Sequence, residues 1–181
     1  MRLDPYIAGL FYGDGCLYRR KDGAYCVWVD QTEKNKDILK QEALSRLKKM
    51  RIKFHFYSYY AKRDGVRKWR ILIYSKELYM LLREVFQRIT EYFENLPDTK
   101  ARQFIAALFD AEGTKTDRIV IYNQNVDLLK RISIKLDSLG IKDSHIYSFG
   151  QIYGLQIYRK SSLNKFLRLI PSHRLKAHLP G

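Results

Sequence analysis

The chain has 181 residues, 46% hydrophobic and 14% aromatic, which suffices for a packed core and excludes a disordered chain or a low-complexity basic tail. Lys plus Arg is 34 and Asp plus Glu is 19, so the formal charge is 34 − 19 = +15 and the expected partner is a polyanion. No run of about 18 apolar residues exists, residues 1–10 lack signal-peptide order, and Cys16 and Cys26 make neither a disulfide framework nor a zinc motif. An intracellular protein that does not enter a membrane is therefore expected.

In chain order, an apolar helix is predicted up to Asp14-Gly15, with the glycine as its C-cap. A hairpin follows over residues 16–20 and 25–31, turning at Lys21-Asp-Gly23 and able to bring the two cysteines face to face. Residues 36–50 carry Ile38, Leu39, Leu44 and Leu47 at helical spacing. A second hairpin is predicted over residues 52–62 and 66–74, and one helix over residues 76–93. The same order then recurs: a helix with Asp98 as its cap, running to Glu112-Gly113; a tight hairpin around residues 114–115 and 118–123; a helix over 126–139; strands over 144–149 and 152–158; and a helix over 161–169. The basic tail His173-Arg-Leu-Lys-Ala-His178 is expected to be loosely held.

The recurrence is written in the residues themselves. Tyr6-Ile-Ala-Gly-Leu-Phe-Tyr-Gly-Asp-Gly15 parallels Phe104-Ile-Ala-Ala-Leu-Phe-Asp-Ala-Glu-Gly113, 98 positions on. Asp37-Ile-Leu-Lys40 parallels Asp127-Leu-Leu-Lys130 at 90, and Ile73-Tyr74 parallels Ile157-Tyr158 at 84. The shrinking offset means two related halves, 1–95 and 96–181, the second with shorter loops. Each reads αββαββα, an α+β fold.

Gly9 and Gly13 lie four apart on one helix, Ala107 and Ala111 on the other, so two backbones can approach closely. Packed in parallel, the helices would bring Asp14 and Glu112 together at C-termini that already carry partial negative charge. Such a pair calls for a cation, and oxygen ligands suit Mg²⁺, an ion able to assist phosphodiester cleavage.

These two segments resemble the motifs of the LAGLIDADG homing endonucleases in their single-chain, two-motif form. The resemblance implies two four-stranded antiparallel sheets forming a saddle across DNA, with the motif helices at the centre. It implies a monomer that cuts both strands of a long, non-palindromic target in intron homing, with Asp14 and Glu112 as metal-binding catalytic carboxylates. It also implies Gln31 and Asn123 as polar residues that orient water, Lys115 as the nearby lysine, Mn²⁺ as a substitute for Mg²⁺, and Ca²⁺ as an ion supporting binding without cleavage. The sixth motif position, Tyr12 and Asp110, is not a metal ligand in that pattern. Because the chain begins with Met and no splicing block flanks the motifs, a free-standing intron-encoded protein is expected. Two alternatives stay open: an RNA maturase that binds intron RNA, and a non-cleaving DNA-binding regulator of the same fold.

For double-stranded DNA, alternation along Arg67–Tyr74 puts Trp69, Ile71 and Ile73 on one sheet face and Lys68, Arg70 and Leu72 on the other. A two-stranded ribbon fits the major groove, where Arg reads guanine and Gln reads adenine. Tyr18, Arg20, Lys68, Arg70, Arg118 and Gln156 are the candidate contacts.

Overall fold

The structure is a computed structural model that describes residues 2–176. Helix α1, Pro5–Asp14, starts where the Asp4 carboxylate accepts the backbone N–H groups of Tyr6 (2.9 Å) and Ile7 (3.2 Å), with Pro5 in the first turn. Residues 5–11 are buried all round, because this helix is central rather than amphipathic. It passes directly into β1, Gly15–Arg19, and β2, Tyr25–Thr32.

Gly15 is not the left-handed cap expected from the sequence. Its φ of −86° is open to any residue; glycine is required because a Cβ there would run into the backbone of Phe11. Gly113 repeats this, extended at φ −90° and pressed against Phe109. The hairpin register pairs Cys16 with Trp28 and Cys26 with Tyr18, so the cysteines do not face one another, and both are free thiols.

The helix predicted over 36–50 is a composite: a 3₁₀ turn Glu33–Asn35, a π-helical stretch Ile38–Ala43, then α2, Leu44–Lys49. Strands β3, His55–Ala61, and β4, Val66–Tyr74, complete the first sheet in the order β1-β2-β4-β3, all antiparallel. The closing helix is broken at Arg88 (φ −126°, ψ 33°) into α3, Lys76–Gln87, and α4, Ile89–Glu94.

The second half has α5, Asp98–Glu112; β5, Gly113–Lys115; β6, Ile119–Asn123; α6, Val126–Ser138; β7, Ser144–Phe149; β8, Ile152–Ile157; α7, Lys160–Leu169; and α8, His173–Lys176. Its sheet order, β5-β6-β8-β7, repeats the first. Asp98 does not cap α5: it is already inside the first turn, Pro97 holds the cap position, and the carboxylate turns sideways to Lys135 Nζ at 3.0 Å. No helix among the described residues is long and apolar enough to cross a membrane.

Parity holds in both sheets. Val27, Val29, Ile71 and Ile73, then Ile119, Ile121, Leu155 and Ile157, are fully buried on the faces covered by helices. The opposite faces carry Trp28, Asp30 and Arg70 in one half and Tyr122, His145 and Gln156 in the other. At the centre α1 lies parallel to α5. A Cβ on Gly9 would stand 2.7 Å from the Phe104 carbonyl oxygen, and one on Gly13 would stand 2.5 Å from the Ala111 Cβ. Gly9→Leu is therefore expected to lower stability by about 1–3 kcal/mol or more through overpacking, read as a fall in Tm.

Candidate active site

The close approach places Asp14 and Glu112 at adjoining helix C-termini. The Glu112 stem lies over Gly13, whose added Cβ would sit 3.2 Å from Glu112 Cγ. Burial together with the neighbouring Glu112 charge pushes the Asp14 carboxyl up from 3.8 to about 7, against the lowering effects of Gln31 and Arg174. Burial raises Glu112 as well, opposed by Arg174. Two desolvated carboxylates at negative helix ends fit a hard divalent cation by donor chemistry, Mg²⁺, Mn²⁺ or Ca²⁺. Among the described residues no group of three or more His, Cys, Asp or Glu lies close enough together to hold a metal ion.

Gln31, at the end of β2 and 5% exposed, donates its side-chain amide to Asp14 Oδ2. Asn123, at the end of β6, lines with Glu112, Tyr12 and Gln124 a cleft of about 380 Å³. Its side-chain oxygen accepts the Asn125 N–H at 2.9 Å, so the two polar positions are not used alike. The Asn125 side chain in turn caps α6, which ties Asn123 to the start of that helix. Lys115 ends β5 opposite Ile119, half-buried and three residues beyond Glu112.

Arg174 was not foreseen. The segment expected to be a loose tail is docked under α5: Asp110, fully buried, accepts from Tyr6 Oη (2.6 Å), Ser172 Oγ (2.5 Å), and the backbone N–H groups of His173 (3.0 Å) and Arg174 (2.9 Å). The Arg174 guanidinium donates to the Gly113 carbonyl (2.6 Å) and the Ala111 carbonyl (3.2 Å), which belong to the residues on either side of Glu112. It thus offsets the negative end of α5 and lowers both acids. The available signal was an aspartate inside an apolar motif helix, which must find buried donors somewhere. Residues 177–181, including His178, lie outside the described residues.

The candidate DNA contacts share the open sheet faces or their turns, but each basic one already has a partner. Arg20 pairs with Asp22 (2.9 Å), Lys68 with Asp64, and Arg118 with Asp117 (2.9 Å). Arg70 is clamped by both oxygens of Asp30 at 2.7 Å, donates to Tyr59 Oη at 3.0 Å, and stacks over Trp28 at 5.1 Å. Tyr18 is exposed beside Trp28, and Gln156 lies between Val120 and His145 on the second sheet.

Residues 99–171 match the LAGLIDADG-like domain family. The whole chain is similar to the homing endonuclease I-DmoI: structures of its mesophilic variants share 27% identity and a TM-score of 0.73, over 95% of this chain and 90% of that one. I-DmoI in complex with DNA and Mn gives 27% identity and a TM-score of 0.72, over 94% and 97%. Full-length DUF199/WhiA from Thermatoga maritima has the same fold at 15% identity and a TM-score of 0.67, over 96% of this chain and 56% of that one. No curated protein matches the chain.

Proposed function

Because residues 99–171 form a LAGLIDADG-like domain and the whole chain shares the fold of I-DmoI, we propose that this protein is a monomeric, site-specific endonuclease that cuts both strands of a long, non-palindromic duplex in intron homing. Residues 1–95 and 96–181 would each address one half-site, the unequal loops making the two halves of the target unequal. The observation that carries the reading is the parallel apposition of two helix C-termini, each ending in a carboxylate raised by burial. I-DmoI structures with DNA and Mn and with DNA and Ca support the duplex and the divalent ion.

Asp14 and Glu112 would hold the ions. Mg²⁺ or Mn²⁺ bound there would supply charge stabilisation at the scissile phosphates and lower the pKa of coordinated water. Gln31 fixes the orientation of Asp14 by occupying one of its oxygens, leaving the other as a donor. Asn123 and Lys115 are assigned to the Glu112 side, where they would orient water and offset phosphate charge. Arg174 keeps the two acids close in the protein alone. The open faces of the two sheets and their turns would present Tyr18, Arg20, Lys68 and Arg70 from the first half, and Arg118 and Gln156 from the second, to successive major grooves. Arg20, Lys68 and Arg118 exchange an aspartate for a phosphate on binding.

Duplex affinity is then expected to fall with salt, with a log–log slope of about −0.9 per phosphate contacted; a flat salt titration would contradict this use of the charge. The reading itself is tested by enriching randomised duplexes on the protein in Ca²⁺, moving them to Mg²⁺, and sequencing the ends. Cuts on both strands at a fixed centre support the nuclease. Enriched but intact duplexes mean a regulator, and binding confined to intron RNA means a maturase.

A further inference from the structure

While the basic candidates on the sheets are tied to aspartates, a second set of cations is not. A groove of about 950 Å³ lies at the pole where α1, α3 and α5 begin, lined by six cations against Asp4 and Glu77. Arg46 is held by Asp4 (3.2 Å) and Glu42 (3.6 Å). The other five, Arg2, Lys49, Arg51, Lys53 and Lys100, have no carboxylate partner among the described residues. The groove is remote from the paired acids, which terminate the opposite ends of α1 and α5; ten helical residues of α1 span about 15 Å.

Arg51 is informative because its backbone is unfavourable. It closes α2 at φ 58°, where Ile52 N–H bonds the Leu47 carbonyl at 3.0 Å. The equivalent end of α6 has Gly140 at φ 77°, with Ile141 N–H on the Leu136 carbonyl at 2.8 Å. That turn suits glycine, and the first half carries an arginine there in spite of the strain. Beside these charges stands Tyr74, 51% exposed, edge-on to His55 at 5.9 Å. An exposed aromatic beside a line of unpaired cations matches the chemistry of a strand whose bases are free to stack, whereas a duplex hides its base faces.

We propose that this polar groove binds a single-stranded nucleic acid, and that it does so while a duplex occupies the sheets. The proposal stands apart from duplex cleavage. The probe is labelled oligothymidine of roughly 16 nucleotides, followed by fluorescence anisotropy with the full chain. Lys49→Glu/Lys53→Glu is expected to weaken binding at least about tenfold, leaving duplex affinity and Tm as in the wild type. Arg51→Gly is expected to weaken it about threefold and to raise Tm, since the strained turn is relieved. Saturating duplex is expected to leave the oligonucleotide bound. Failure of the wild type to bind the oligonucleotide, its displacement by duplex, or unchanged affinity in both variants would overturn the proposal.

Discussion

Asp14→Asn is expected to reduce double-strand cleavage by at least about 10³-fold while leaving duplex affinity in Ca²⁺ nearly unchanged, and Glu112→Gln to do the same. The same Asp14 substitution should make the metal-free protein more stable at alkaline pH. The folded carboxyl sits at about 7 against 3.8 for the free group, so between those values the folded chain holds a proton that the unfolded chain has lost. Its stabilising contribution is complete at low pH and is lost as pH rises through about 7; the ceiling is about 4 kcal/mol. Melting in a chelator from about pH 5 to about pH 8 should show the wild type falling and Asp14→Asn nearly flat, with Ca²⁺ restoring the wild type at the upper end. Parallel curves would mean that the two acids do not form a buried, mutually repelling pair. Cleavage should weaken below about pH 7, where protons compete with the ion for Asp14.

Asp110→Ala should act in the opposite sense. The side chain accepts four hydrogen bonds with no exposure, so its removal strands the Tyr6 and Ser172 hydroxyls and two backbone N–H groups. A loss of about 3–5 kcal/mol is expected, or about 10 °C in Tm for a chain of this size. Asp110→Asn keeps one acceptor oxygen and should recover part of it. Because Asp110 holds Ser172–Arg174, its loss also frees Arg174 from the Gly113 and Ala111 carbonyls, and proteolysis near the C-terminus should accelerate. An Asp110→Ala protein with unchanged melting and protease resistance would show that α8 is not anchored through this aspartate. Two acids in related motif helices, two positions apart in the pattern, thus sit in opposite settings: Asp110 accepts four hydrogen bonds from the protein, and Asp14 accepts one side-chain bond, from Gln31, and is raised by burial.

The αββαββα order was legible twice because matching segments recur in the same order in both halves, and alternation in Arg67–Tyr74 gave the correct sheet faces. The break at Arg88 was not legible, because nothing in the apolar spacing of residues 76–93 marks it. Asp98 was misread as a cap since any Asp before a helix looks like one, and its choice of Lys135 depends on how α6 packs beside α5. The Asp30 partner of Arg70 was not legible, because it comes from a neighbouring strand 40 positions away.

What the sequence by itself determined is the repeated element order, the close packing of two small-residue helices, and the meeting of Asp14 with Glu112. Each follows from local periodicity and from the absence of side chains at Gly9 and Gly13. Tertiary structure decided the rest: that Gln31 reaches Asp14 while Asn123 turns to its own loop, that Asp110 anchors the C-terminal segment, and that Arg174 bonds the carbonyls at the end of α5, where its charge lowers both acids. Hydrogen bonding and charge pairing act through space between residues far apart in the chain. Their partners therefore exist only once the two halves have closed on each other.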